Sequence, residues 1–191
     1  IEQMQLEVAQ ADYAAAISDA EEYMASLQDK HPEQAKKLAI IIENAKTFME
    51  NTQVDVLKIL TQSVRLGIQQ MQLEIAQADY ASAISDAEEY LATIQETYPE
   101  QAQKLTNVIN NAKSMAGTGT SMEILDFLAK VLNEGIKEFK MEIAHIDLAA
   151  AISDAEEYMA SIKESNPSVA EAMQLFIIVA KQVQADDSYE Q

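Results

Sequence analysis

The chain reads as an all-α protein: tandem three-helix-bundle repeats of about 68 residues, with long helices shared between successive repeats. Three observations predict this. The phrase Ile17-Ser18-Asp19-Ala20-Glu21-Glu22-Tyr23 returns letter for letter as Ile84 to Tyr90 and as Ile152 to Tyr158. Apolar residues recur at spacings of three and four, the mark of amphipathic helices. Neither a proline nor a turn cluster separates the third segment of one copy from the first segment of the next. A unit of this kind buries its apolar face by stacking on its neighbours rather than by closing on itself.

The first segment of the unit, Met4 to Leu27 in the first copy, carries Leu6, Tyr13, Ala20 and Leu27 in one seven-spaced stripe, with Ala9, Ala16, Ile17, Tyr23 and Met24 beside it. Its acids Glu7, Asp12, Asp19 and Glu22 fall largely outside that stripe, which leaves a wet face and a dry one. Ser18-Asp19-Ala20-Glu21 also has the Ser-x-x-Glu form of a capping box and offers an alternative helix start there. The segment ends at His31-Pro32, Tyr98-Pro99 and Asn166-Pro167, each placing proline in the first turn of a new helix, where its missing N–H does no harm. That second segment has an expected inner face of Ala35, Leu38, Ile42, Ala45 and Met49 in the first copy, and of Val169, Met173, Phe176 and Ala180 in the third.

A third segment starts near Thr52 and again near Thr120, where Thr120-Ser121-Met122-Glu123 has the capping-box form. From it the stripe Ile59, Leu66, Leu73, Tyr80, Ala87, Ile94 runs at intervals of seven into the next copy. One continuous helix from about 53 to 96 is therefore expected, about 65 Å long. Leu125, Leu132, Phe139 and Ile146 repeat the device at the next junction. Gly67 and Gly135 occupy matching places in these helices and are the candidate hinges or close-contact points; each costs about 1 kcal/mol relative to alanine. The repeats divide as 1–52, 53–119 and 120–191, with Ala116 to Thr120 a flexible loop and Asp186 to Gln191 an acidic tail. A helix shared between successive three-helix bundles resembles the architecture of spectrin-type repeats, here in a shorter unit without their sequence signature.

Charge and composition narrow the partners. With 13 Lys+Arg against 32 Asp+Glu, the net charge of -19 repels nucleic acid and anionic membrane surfaces. Cysteine is absent, which removes disulfides and thiolate metal sites. No apolar run approaches the roughly 20 residues of a membrane span, so a soluble chain is expected. Its opening on Ile1 suggests a processed, secreted form or a fragment.

The residues for enzymatic chemistry are scarce. There are 2 histidines, His31 and His145, with neither a glycine-flanked serine elbow nor a nucleotide fingerprint, so no catalytic residue and no cofactor are assigned. Glu142-Ile143-Ala144-His145 is a Glu-x-x-His of the kind used in pairs by di-iron bundles, but it occurs once and supplies too few ligands for a metal site. The recurrent acids Asp12/Asp79/Asp147, Asp19/Asp86/Asp154 and Glu22/Glu89/Glu157 read as a solvated face or as partners for Lys36, Lys37, Lys46, Lys113 and Lys181.

Two functions fit. The first is a non-enzymatic structural or protein-interaction module, self-associating through terminal bundles that lack a third helix. The second is a carrier of a lipid or other apolar ligand in a bundle interior lined by Met24, Met49, Met71, Tyr13, Tyr80, Tyr23 and Tyr90.

Overall fold

The computed structural model describes residues 2–50, 53–117 and 119–185. Ile1, Asn51, Thr52, Thr118 and the acidic tail Asp186 to Gln191 lie outside the described residues. Among the described residues the chain is helical throughout, without strands: α1 (Glu2–Leu27), α2 (Pro32–Lys46), α3 (Val54–Ile94), α4 (Pro99–Met115), α5 (Met122–Ile162) and α6 (Pro167–Ala185). It forms two compact units, one of Ile1–Ala83 with Ala116–Ala129 and the other of Ile84–Met115 with Lys130–Gln191. Helix α1 passes through Ser18 without a break, so the alternative start there is not used. Helices α3 and α5, each of 41 residues, pass equally through Gly67 and Gly135.

The three proline turns are built alike. The residue before each proline donates its N–H to the last residue of the preceding helix, at 2.7 Å from His31 to Leu27, 2.8 Å from Tyr98 to Ile94 and 2.7 Å from Asn166 to Ile162. Its own carbonyl then accepts the first bond of the next helix, from Ala35, Ala102 and Ala170. Proline follows where a helix has a spare N–H position, so the turn satisfies backbone groups that both helix ends would otherwise leave open.

The capping box expected at Thr120 does not form. Thr120 Oγ1 instead accepts from the Gly117 N–H at 2.8 Å and donates to the Gly117 carbonyl at 2.7 Å, closing a tight turn in which Gly119 takes a φ of 89°. The carbonyl that opens α5 belongs to Ser121, which accepts from the Leu125 N–H at 3.1 Å. The Glu123 carboxylate is held below its ordinary range by its own backbone N–H and by the Ser121 hydroxyl. The threonine hydroxyl is thus engaged by its own turn and not by the start of the helix.

The core of the first unit draws Ala9, Tyr13, Ala16, Ile17, Ala20 and Leu27 from α1, Ala35, Leu38, Ile42 and Ala45 from α2, and Leu57, Val64, Met71 and Ile75 from α3. The stripes expected on α1 and α2 are thus the buried ones, except that Leu6 is half-buried and Met49 lies past the end of α2 and is exposed. On α3 the buried seven-spaced residues are Leu57, Val64 and Met71, whereas Ile59 and Leu66 of the expected stripe are 64% and 54% exposed. Further along, Ala76, Ala83, Ala87 and Ile94 are buried. An α-helix drifts about 20° against a strict heptad for every seven residues. A straight helix of 41 residues turns a seven-spaced stripe progressively away from its neighbour, and α3 changes stripes along its length. Helix α5 does the same, burying Leu125, Leu132, Ile136, Ile143 and Ile152 while Ile146 is exposed.

One polar contact is written three times. Lys46 pairs with Glu21, Lys113 with Glu88 at 2.6 Å and Lys181 with Glu156 at 2.6 Å. The lysines are among those expected to pair, but their partner is the first glutamate of each Asp-Ala-Glu-Glu phrase, not the acids singled out from the sequence. All six groups are about half exposed, so each pair adds at most about 1 kcal/mol.

Candidate functional site

Helices α2, α4 and α6 present one inner pattern: Ala35, Leu38, Ile42 and Ala45; Ala102, Leu105, Ile109 and Ala112; Ala170, Met173, Ile177 and Ala180. In α2 and α4 all of these are buried; in α6 Ala170 and Ile177 are buried and Met173 and Ala180 half-buried. The face expected for α6 is therefore off by one residue, about 100° of rotation, at two places. Val169 and Phe176 lie outside, 49% and 76% exposed. Helix α6 is apolar around most of its circumference, so periodicity alone offers two equally good stripes.

The second stripe is the candidate site. Val169, Ala172, Phe176, Val179 and Val183 follow one another at intervals of three, four, three and four along the exposed side of α6, with Leu175 beside them. Leu175 is 67% and Val179 57% exposed. Helix α6 carries two charged residues, Glu171 and Lys181, and the lysine is engaged by Glu156. The sequence reading missed Leu175, Val179 and Val183. Aligning the three second segments would have marked Val179, whose counterparts are Asn44 and Asn111, but not Val183, which matches Phe48 and Met115. On α5, Tyr158 is exposed, whereas its counterparts Tyr23 and Tyr90 are half-buried.

Of the tyrosines and methionines proposed to line an interior, Tyr90 belongs to the second unit and the others to the first. Tyr13 and Met71 are buried in the first unit's core, with Tyr23 and Met24 packed against it. The Tyr13 hydroxyl donates to the Ala45 carbonyl at 2.6 Å, and burial pushes its phenol above the ordinary value. Burial also raises Tyr23, helped by the charges of Asp126 and Asp79. Tyr80 is half-buried on α3. In the second unit Tyr90, raised by burial, lies under Lys140, whose Nζ stands 5.2 Å from the ring centroid.

Tyr90 also borders an open groove of about 690 Å³ with Asp86, Glu89, Asn133, Lys137 and Lys140, a wall of mixed charge. In the first unit a smaller and more apolar groove, about 400 Å³, lies between Met4, Val8 and Ala9 of α1 and Val54 and Lys58 of α3, with Asp12 at its edge. A Cβ built on Gly67 or Gly135 meets nothing within 4 Å, so neither glycine is there to admit a close neighbour.

Ionisable groups pair off along the helices. In the first unit His31 Nε2 lies 3.6 Å from Asp79 Oδ2. At the matching place in the second unit Tyr98 donates its hydroxyl to Asp147, and that bond raises its phenol above the ordinary value. Glu142 accepts from Lys104 at 3.0 Å and from Gln101 at 3.3 Å; the two donors hold its carboxyl below the usual range. Glu142 is thereby committed to Lys104 and Gln101, while His145 is exposed. Comparison with known proteins finds no matching family model, no matching curated protein and no matching solved structure.

Proposed function

We propose that this chain is a non-enzymatic acidic helical-repeat protein, a structural or protein-interaction module whose tandem helix triplets associate with further copies of themselves. The observation that carries this reading is the exposed apolar side of α6, where Phe176, Leu175 and Val179 stand in water. Contiguous apolar surface of this kind marks an interaction site. The pairing of Glu142 with Lys104, and of the three glutamate–lysine couples, supports a structural use of the titratable groups rather than a catalytic one. No helix among the described residues is long and apolar enough to cross a membrane, so the exposed apolar side does not belong to a span.

Sedimentation velocity over a wide concentration range tests the reading. The weight-average mass is expected to rise from that of one 21.1 kDa chain as concentration increases. A single monomer boundary at every concentration would remove self-association from the proposal.

A carrier role is the second reading, favoured by the apolar groove at Met4, Val8 and Val54, whose volume falls within the range of small-molecule sites. Native mass spectrometry of gently purified protein would then show a retained lipid-sized adduct, and adduct-free spectra would count against it.

A further inference from the structure

In the first unit the groove between α1 and α3 changes character along its length. At one end it is the apolar groove lined by Met4 and Val8 of α1 and Val54 of α3. Through Ala9, Asp12 and Lys58 this end runs into a second opening of about 410 Å³, which is completed by Thr61, Gln62 and Arg65 of α3. The two stretches are continuous, oily at one end and polar at the other. Val54, Lys58, Thr61, Arg65 and Gln69 follow one another at intervals of four, three, four and four, so a single face of α3, about 22 Å long, forms that wall throughout.

The polar end is cationic. Between Asp55 and Glu74 the chain carries no acid, while Lys58 and Arg65, its one arginine, stand two turns apart on the groove face. Among the described residues neither is taken up by an ion pair, unlike Lys46, Lys104, Lys113 and Lys181. Asp12 is the one carboxylate that lines either stretch among the described residues, so the cations outnumber the acids there. The repeat itself does not require these cations, because the matching places on α5 hold Asp126 and Asn133.

We infer that this groove binds a single-chain anionic amphiphile of the fatty-carboxylate class. The chain lies along Met4, Val8, Val54 and the methylene stem of Lys58, and the head sits between Lys58 and Arg65. The inference rests on the carrier reading given above and names its ligand class. Charge selects the occupant. A cationic amphiphile would meet two cations and one acid, and an uncharged one would leave both cations unanswered. A carboxylate accepts from guanidinium and ammonium alike, and Lys58 and Arg65 are about 10 Å apart along the helix axis, a gap two long side chains can close on a common anion. The net charge of -19 does not forbid this. At physiological salt, charges farther away than about 8 Å are largely screened, so a head in contact with Lys58 and Arg65 responds first to them. An anionic membrane, with many heads spread across a wide surface, is still repelled.

Full-length protein with isotope-labelled methionine methyls is titrated with dodecanoate below its micelle concentration, and in parallel with dodecanol and dodecyltrimethylammonium as controls of equal chain length. Dodecanoate is expected to saturate one site, shifting the Met4 methyl and leaving Met159 and Met173 of the second unit in place. Dodecanol moves the same methyl at affinity lower by on the order of tenfold, and the ammonium binds more weakly still. Lys58 and Arg65 are exposed, so the Lys58→Gln/Arg65→Gln double variant keeps the wild-type circular dichroism while its affinity for dodecanoate falls to that for dodecanol. Val8→Gln weakens both ligands. Equal binding of dodecanoate and dodecanol, tighter binding of the ammonium, or a double variant that holds dodecanoate as wild type does would each overturn the anionic assignment and leave an apolar carrier standing. Saturating shifts confined to methionines other than Met4 would overturn the groove. A protein that binds none of the three would overturn the carrier reading as well.

Discussion

Replacing Tyr13 by phenylalanine keeps a ring that is 1% exposed and removes only the hydroxyl that reaches from α1 to the end of α2. The lost bond is 2.6 Å long and buried. The Ala45 carbonyl it leaves still accepts from the Phe48 N–H at 3.0 Å, so no polar group is orphaned. The cost therefore falls in the range of an ordinary net hydrogen bond, about 0.5–1.5 kcal/mol, rather than the larger penalty of an unsatisfied one.

A pH dependence accompanies it. Burial raises the folded-state phenol above the unfolded value of about 10, so its contribution is fully present below that value and is lost as pH rises through the folded one. Urea unfolding followed by far-ultraviolet circular dichroism at neutral and alkaline pH measures both effects. Tyr13→Phe is expected to be less stable at neutral pH and to show a shallower alkaline decline. A variant as stable as wild type, with an unchanged alkaline limb, would refute the role assigned to the hydroxyl.

Three further outcomes are expected. Gly67→Ala and Gly135→Ala each stabilise the protein by up to about 1 kcal/mol in urea titration, because both positions are helical and a new Cβ meets nothing within 4 Å. Ile177→Ala, which empties a buried position, lowers stability by about 2–5 kcal/mol, whereas its neighbour Phe176→Ala changes the stability of the single chain by less than about 1 kcal/mol. Lys104→Met raises the Glu142 carboxyl towards its ordinary value, readable by carboxyl NMR titration. The Glu142 contribution in wild type is present above the unfolded carboxyl pKa and is lost as pH falls through the depressed folded one, so the variant loses less stability on acidification.

Much of the fold was legible because local chemistry and tertiary need agree. Proline after His31, Tyr98 and Asn166 marks the start of α2, α4 and α6, and the alanine-rich stripe from Ala9 to Leu27 is the one that packs. Phase along a long helix was not legible. Ile59 and Leu66 are as apolar and as regularly spaced as Leu57 and Val64, and only the position of α1 and α2 decides between the two stripes. The same ambiguity hid the outer face of α6. Its signal was not periodicity but contrast, valine where the sister helices carry Gln101 and Asn111. The glutamate–lysine couples were missed for a related reason: Glu21 and Glu22 are equally charged neighbours, and about 100° of helix rotation brings only the first to Lys46.

Amide hydrogen exchange of the full chain at low and high protein concentration probes the role of α6 most directly. If its apolar side is where copies meet, amides in 167–185 slow markedly as concentration rises, while those of α2 and α4 keep their rates. Exchange in α6 that is fast and unchanged at every concentration would contradict it.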